Sequence, residues 1–210
     1  MQGDCIEFMR NVPDKYYELA IVDPPYGIGF SDYERGASGI KIKERYTKNG
    51  KKKWDISIPS NEYFNELKRI SQNQIIWGGN YFPELWLNGC KGFIFWFKHQ
   101  PVDNFAKGEL AWTSFNTPAQ CFDYMYYGNL NRDIVQLHPT QKPVALYKWL
   151  LTKYAKQGDK IFDSHGGSMS IAIACHDLNF DLDCIELDSD YYQQAVKRYE
   201  NHKLQQRLNF

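Results

Sequence analysis

Apolar residues gather in short runs at positions 19–22, 74–77, 93–97, 110–113, 160–162 and 182–185, each closed by polar residues or glycine. Near-continuous apolarity over four or five positions predicts strands covered on both faces, because a strand with one wet face alternates instead. Between the runs the period becomes helical. Residues 60–70 open with a capping Ser60 and align Tyr63, Phe64, Leu67 and Ile70. Residues 143–154 open with Pro143, which suits a first helical turn, and carry Val144, Leu146, Tyr147, Leu150 and Leu151. Residues 168–178 bring Ile171, Ala172, Ala174 and Cys175 together, and residues 189–201, after Asp188, align Tyr192, Ala195, Val196 and Tyr199. Strands alternating with helices predict an α/β fold, a parallel sheet with helices on both faces.

One segment breaks this rhythm. Residues 27–58 are long, polar and punctuated by glycine, which marks a functional or mobile loop. Within it Lys41, Lys43, Arg45, Lys48, Lys51, Lys52 and Lys53 face a single acid, Glu44. This matters because the whole chain is neutral, with 25 Lys and Arg against 25 Asp and Glu. Global charge therefore gives no argument for a nucleic-acid partner, but this local cluster does. At 210 residues the length suits a single domain spanning 1–210. Five cysteines without a C-x-x-C pair argue against a disulfide framework or a structural metal and for a reducing, cytoplasmic setting. The densest apolar stretch, 92–97, is too short to cross a bilayer, and no apolar signal region follows Met1.

Chemistry first appears at Asp23-Pro24-Pro25-Tyr26, which closes the run 19–22. Two prolines cannot extend a strand ladder, so they set a rigid turn just past the strand's carboxyl end, where open α/β sheets place ligands. The turn offers a carboxylate and a carbonyl, two acceptors suited to an exocyclic amine that donates twice. Tyr26 adds a ring that can stack on a flat base.

With that motif the chain resembles the DNA amino-methyltransferases, which transfer a methyl group from S-adenosylmethionine to N6 of adenine or N4 of cytosine. Their catalytic string is D/N/S-P-P-Y/F, with aspartate mostly in the adenine enzymes. Further matches span nearly the whole chain: Gly3-Asp4-Cys5, His138-Pro139-Thr140-Gln141-Lys142-Pro143, and Asp163-Ser164-His165-Gly166-Gly167-Ser168 followed by a strand ending at Glu186. The catalytic string precedes the glycine loop, the permuted order of the family's beta group. Trp77-Gly78-Gly79-Asn80-Tyr81-Phe82 and the ending Asn201-His202-Lys203 are similar to a phage-type subset. The resemblance implies a Rossmann-like class I methyltransferase fold, a mixed seven-stranded sheet with helices on both faces. Residues 160–163 become its central strand, and a short edge strand precedes Asp4. It also implies catalytic roles for Asp23, Pro24, Pro25 and Tyr26. For the cofactor it implies contacts from Asp4, Cys5, Asp23, His138, Thr140, Lys142, Asp163, Ser164, His165, Gly166, Gly167, Ser168, Glu186 and Leu187, with Asp4 on the adenine amine and Thr140 and Lys142 in the methionine pocket.

The glycine loop supports this cofactor on physical grounds. A dinucleotide site needs G-x-G-x-x-G to bring amides to a pyrophosphate, whereas this loop starts with an acid. S-adenosylmethionine has no phosphate but carries an ammonium and a sulfonium. A carboxylate at Glu186, some twenty residues on, suits two ribose hydroxyls. One departure stands out: Met169 occupies a place where the family loop has glycine, which predicts crowding unless the position is helical.

The expected reaction is transfer of the methyl group to N6 of an adenine flipped out of duplex DNA. None of the five cysteines follows a proline, which excludes the cytosine-C5 chemistry of a Pro-Cys nucleophile. Target recognition falls to a small insertion at about 114–137, rich in amides and tyrosines with Arg132, and to the basic loop as the nucleic-acid contact. N4-cytosine methylation, RNA adenine methylation and a non-catalytic nucleic-acid-binding relative with weakened cofactor binding stay open, as does a homodimer.

Overall fold

The computed structural model describes residues 1–29, 55–103, 105–126, 131, 133, 137–138 and 140–206. Its strands are β1 (Tyr17–Val22), β2 (Ser71–Trp77), β3 (Phe93–Phe97), β4 (Gly108–Thr113), β5 (Gln120–Asp123), β6 (Lys160–Asp163) and β7 (Asp181–Cys184). They form one sheet in the order β5-β3-β4-β2-β1-β6-β7. Only β4 runs antiparallel to its neighbours, β2 and β3. The helices are α1 (Cys5–Arg10), α2 (Asn61–Ile70), α3 (Val144–Tyr154), α4 (Ser170–Leu178) and α5 (Ser189–Gln206). The expected mixed seven-stranded α/β architecture is therefore present. Among the described residues no helix is long and apolar enough to cross a membrane.

The two-residue period of the strands divides the core. Leu19 and Ile21 of β1 join Ile75, Trp77, Ile94 and Trp96 under α3, α4 and α5. Ala20 and Val22 face the other way, with Ile76 and Phe162, under α1 and α2. The apolar face of α2 is the expected Tyr63, Phe64, Leu67 and Ile70, all buried, and Ser60 caps it by accepting from the Tyr63 amide at 3.3 Å.

Chain order creates the ligand crevice. From β1 the chain crosses through α2 to β2 on one side; from β6 it crosses through α4 to β7 on the other. β1 and β6 are neighbours, with Ala20 opposite Phe162. The strand order thus reverses between them, and their carboxyl ends open onto the crevice that such a reversal leaves.

Four local expectations change. Residues 160–163, expected as the central strand, form β6, next to the edge strand β7. The run at β3 reads as doubly buried, but only Ile94 and Trp96 are buried, while Phe93 is exposed. Helices α1 and α2 cover the middle of the sheet and leave that face of β3 to self-stacking of Phe95 on Phe97. β5 lies inside the segment 114–137, where hydropathy gave no strand, because only Phe122 of its four residues is buried. The N-terminal edge strand is reduced to a bridge from Gln2 to Glu186.

Met169 precedes α4 in the left-handed conformation, with φ 54° and ψ 36°. The position does want glycine, at roughly 1–2 kcal/mol for a side chain there. The Met169 side chain does not project into open space, however; it is buried in the core with Ala174, Cys175 and Cys184. Burial of a methionine, about 1.5–3 kcal/mol, offsets the strain. Denaturant unfolding should therefore rank Met169→Ala, which keeps the strain and loses the packing, below Met169→Gly, and both below the native chain. A Met169→Gly variant more stable than the native protein would show that packing does not compensate.

Candidate functional site

The carboxyl ends of β1, β6 and β7 deliver Asp23, Asp163 and Glu186 to one crevice. The Asp23–Tyr26 turn is fixed from two sides. Asp55, fully buried, accepts the amides of Tyr26 and Gly27 through one oxygen, each at 2.8 Å. Its own carbonyl accepts from Gly29 at 2.9 Å, so the described ends of the long loop are tied together. Tyr26 donates its hydroxyl to Asp23 Oδ1 at 2.5 Å. Its ring stacks on Tyr81, with centroids 5.0 Å apart and planes at 15°. Gly78, at φ 70°, permits this: a Cβ there would fall 2.1 Å from the Tyr26 ring.

Lys142 reaches the same turn. It is almost wholly buried, and its ammonium donates to Asp23 Oδ2 and to the Tyr26 hydroxyl at 3.3 Å. It also pairs with Glu109 Oε2 at 3.2 Å. Burial alone would lower the Lys142 pKa, but Asp23 and Glu109 carry it above the ordinary lysine value. Burial likewise disfavours ionised Glu109, and Lys142 and Lys98 overcome it, holding the carboxyl at about 2. Lys142, expected in the methionine pocket, thus lies against the Asp23 carboxylate of the D-P-P-Y turn.

The loop after β6 is held at successive positions. Asp163, buried, accepts from the His165 amide at 3.0 Å and receives the Ile185 amide on its carbonyl at 2.8 Å. Gly166 donates to the Ile185 carbonyl at 2.7 Å, an approach that a Cβ, 2.7 Å from Cys184 Sγ, would obstruct. Gly167 donates to Glu186 Oε2 at 2.7 Å, while Glu186 Oε1 takes the Asp188 amide. Arg198 of α5 donates to the Ser168 carbonyl at 2.8 Å and pairs with Asp133. Ser164 shares a 2.7 Å hydrogen bond with Tyr63 and one of 2.8 Å with His165 Nδ1. Burial pushes the Asp163 carboxyl up to about 7, aided by Asp23 and Glu186 and opposed by the His165 amide and Lys142. Burial lowers His165 to about 4, so the imidazole is neutral at pH 7.

The remaining expected residues divide. His138 bonds Thr140 at 2.9 Å, and its ring lies 4.0 Å from where a Gly167 Cβ would stand, so both flank the glycine loop. Asp4 caps α1 through the amides of Ile6 and Glu7, beside the Gly3-to-Glu186 backbone bond. Cys5, its thiol raised to about 12 chiefly by burial, follows it. Leu187 is 70 % exposed. Lys41, Lys43, Arg45, Lys48, Lys51, Lys52, Lys53 and Arg132 lie outside the described residues. Sequence reasoning missed Glu109, Lys98, Asp55, Tyr81 and Arg198. Of these only Tyr81 sat in a string already noted; the others carry no local signal. Among the described residues no group of three or more His, Cys, Asp or Glu is arranged to hold a metal ion.

A permuted seven-stranded sheet with acids at adjacent strand ends over a glycine loop is the class I methyltransferase fold. Comparison with known proteins agrees and goes further: the N6/N4 family described as DNA methylase matches residues 46–197, which take in the Lys142 segment and the glycine loop, and the chain belongs to that family. YubD of Escherichia coli (strain K12), classed as a methylase, is 25 % identical over 217 residues, covering 94 % of this chain and 88 % of its own. M1.HpyAVI, solved as a complex with SAM, superposes with a TM-score of 0.57 at 19 % identity, over 94 % of this chain and 98 % of the other. The cytosine-N4-specific PvuII DNA methyltransferase gives 0.61 at 11 % identity, over 94 % and 84 %.

The buried Lys142 makes a direct prediction. Lys142→Met leaves Asp23 without a cation and Glu109 with Lys98 alone, and should cost about 3–5 kcal/mol in denaturant unfolding. Adding Glu109→Gln removes one of those charges and should restore part of the loss. Equal stability of Lys142→Met and the native chain would mean the ammonium is not held between the acids.

Proposed function

We propose that the protein is a DNA adenine-N6 methyltransferase that uses S-adenosylmethionine. The observation that carries this reading is the Asp23 carboxylate at the switch-point crevice, held beside the stacked rings of Tyr26 and Tyr81 by Lys142. Support for the cofactor comes from the donor set. Three carboxylates, Asp23, Asp163 and Glu186, act on one another there, and Gly166 and Gly167 keep the loop free of side chains. Such a cavity suits a cation and repels a phosphate. When bound, this cofactor supplies a methyl group on a positively charged sulfur.

The residues then have distinct tasks. Asp163 faces the ammonium and Glu186 the ribose hydroxyls, with Asp4 and Cys5 flanking the adenine end and Leu187 at the rim. Asp23 and the Pro24 carbonyl accept the two hydrogens of the target amine, which localises the lone pair that the purine ring otherwise delocalises. Pro25 fixes the turn and Tyr26 stacks on the flipped base. Holding N6 in line with the methyl carbon supplies the positioning term. The cofactor would supply the methyl group, its sulfur keeping the electrons of the carbon–sulfur bond that is given up for the new bond to N6, and Asp23 would take the proton that N6 sheds. The cluster from Lys41 to Lys53 and Arg132 provides phosphate contacts, so binding weakens with salt. The aspartate form of the motif speaks for adenine, and membership of the DNA methylase family speaks for DNA.

Two measurements test it. Labelled methyl transfer to unmethylated duplex DNA, followed by digestion to nucleosides, should place the label on N6-methyladenine; label on N4-methylcytosine, or transfer to RNA alone, would overturn the assignment. Asp23→Ala should abolish transfer while calorimetry shows cofactor binding retained, and full activity in that variant would remove Asp23 from the mechanism.

Cofactor affinity should also depend on pH with a definite sign. Asp163 is held near 7, so below that pH it is protonated and gives up its attraction for an ammonium. Affinity should rise by about tenfold from pH 6 toward 7.5 and fall again once the ligand's own α-amine, at about 8, loses its proton. Asp163→Asn should flatten the rising limb. A rising limb unchanged in that variant would assign it to another group.

A further inference from the structure

Glu109 stands on β4, outside the recognisable strings, yet it touches the catalytic machinery through one intermediary. Its Oε1 takes the Lys98 ammonium, and its Oε2 lies 3.2 Å from Lys142 Nζ. Lys142 in turn holds Asp23 Oδ2. Charges thus alternate along a file running Asp23, Lys142, Glu109, Lys98. The file starts at the crevice and ends at a lysine that remains 18 % exposed beside Trp96, whose ring it overlies at 4.5 Å. Glu109 Oε2 is itself buried and makes no hydrogen bond of good geometry, so its contact with Lys142 is mainly one of charge. The antiparallel register of β4 against β3 aligns Glu109 with Trp96, which brings Lys98 and Lys142 to opposite oxygens of one carboxylate.

This arrangement resolves a conflict in the proposed chemistry. The half-buried Asp23 carboxylate is served by a cation beside it. It must also remain a strong acceptor for the incoming amine, which a fully committed ammonium would prevent. A lysine shared between two carboxylates satisfies both demands, because each acid draws only part of its field.

We propose that Glu109 is a positioning residue: by sharing Lys142 with Asp23 it sets how tightly the ammonium holds the catalytic carboxylate, and Lys98 sets how much of Glu109 is available for that task. The inference rests on the adenine-methyltransferase reading for its effect on rate, but the file of charges exists independently of it. Loss of Glu109's charge commits Lys142 to Asp23 and makes Asp23 a weaker acceptor. Loss of Lys98 commits Glu109 to Lys142 and relaxes the hold on Asp23. The two changes therefore act in opposite directions, which a merely structural role for either residue does not produce. Other groups facing this file are Tyr26 on the turn, Tyr63 on α2, Tyr147 on α3 and Asp163 at the end of β6, with Glu186 beyond it.

The test is a side-chain nitrogen-15 titration of Lys142, whose ammonium Asp23 and Glu109 hold above the ordinary lysine value, in the full-length protein, native and as Glu109→Gln and Lys98→Met. Glu109→Gln should move the Lys142 midpoint down, and Lys98→Met should move it up. In steady-state assays with saturating cofactor, Glu109→Gln should lower kcat about tenfold, shift the acidic limb of its pH profile the same way, and leave cofactor Kd unchanged. Glu109→Asp, which keeps the charge, should restore most of the rate. Midpoints that stay put, or move together in both variants, overturn the inference. If Glu109→Gln does not fold, the upward shift in Lys98→Met decides alone. A native enzyme that methylates no nucleic acid would defeat the functional reading, while the titration would still judge the charge file.

Discussion

The ammonium of Lys142 is the contact on which the site's assembly depends. It belongs to a segment just before α3, yet it ends among residues of β4 and of the turn after β1. Three pieces of chain far apart in sequence are therefore held by one charge in a place that water does not reach. Removal from water is costly for an ammonium, and the two carboxylates around it, with the Tyr26 hydroxyl and the Trp77 ring, repay that cost. The same balance explains why neither acid is free to wander: Asp23 is fixed by Lys142 and Tyr26 together, and Glu109 by two lysines. Preorganisation of this kind is what a poor nucleophile requires, because a delocalised amine reacts only when acceptors are already in position.

The neighbouring acids obey a different logic. Asp163 is buried without a dedicated cation, so its carboxyl rises to about 7. Lys142 is near enough to lower it slightly but is committed elsewhere. An acid left under-compensated beside Glu186 and Asp23 is a standing invitation to a positive ligand. The loop that carries it is rigid for reasons unrelated to charge. Gly166 is clamped to the end of β7, Gly167 to Glu186 and Ser168 to Arg198. Arg198 also reaches Asp133, which accepts from Gln141 in the Lys142 segment. Helix α5 thereby links the glycine loop to the segment that positions the catalytic carboxylate.

Most of the sheet could be read from hydropathy, because six of its seven strands coincide with an apolar run that the two-residue and helical periods separate cleanly. The exceptions share a cause. β5 buries one side chain, so it has no run to detect, and β3 has the run but lies beyond the reach of α1 and α2, so its apolar face stays partly bare. Both are matters of what covers a strand, which is decided by distant segments. The site divides in the same way. Asp23, Asp163 and the glycines stand at strand ends that the sequence marks by itself. Glu109 and Lys98 do not, since an acid on a short strand and a lysine after an aromatic run are ordinary until the sheet folds them onto Lys142. Met169 was visible as an anomaly but not as a solution: its backbone takes the glycine conformation, and only the packed core shows where the side chain goes.

A neutral chain can serve a polyanionic partner because its charges are sorted by role. Asp23, Asp163 and Glu186 are withdrawn into the crevice, where they act on one another and on a buried lysine. Lys142, similarly, is spent internally. The basic residues between Lys41 and Lys53 have no such counterpart nearby in sequence beyond Glu44. Since Asp55, which fixes the catalytic turn through the amides of Tyr26 and Gly27, closes that same stretch of chain, any load on the basic segment is applied two residues from a buried anchor of the active turn. In the proposed reading, the phosphate contacts and the acceptor pair at Asp23 and Pro24 are therefore joined through neighbouring positions of the chain.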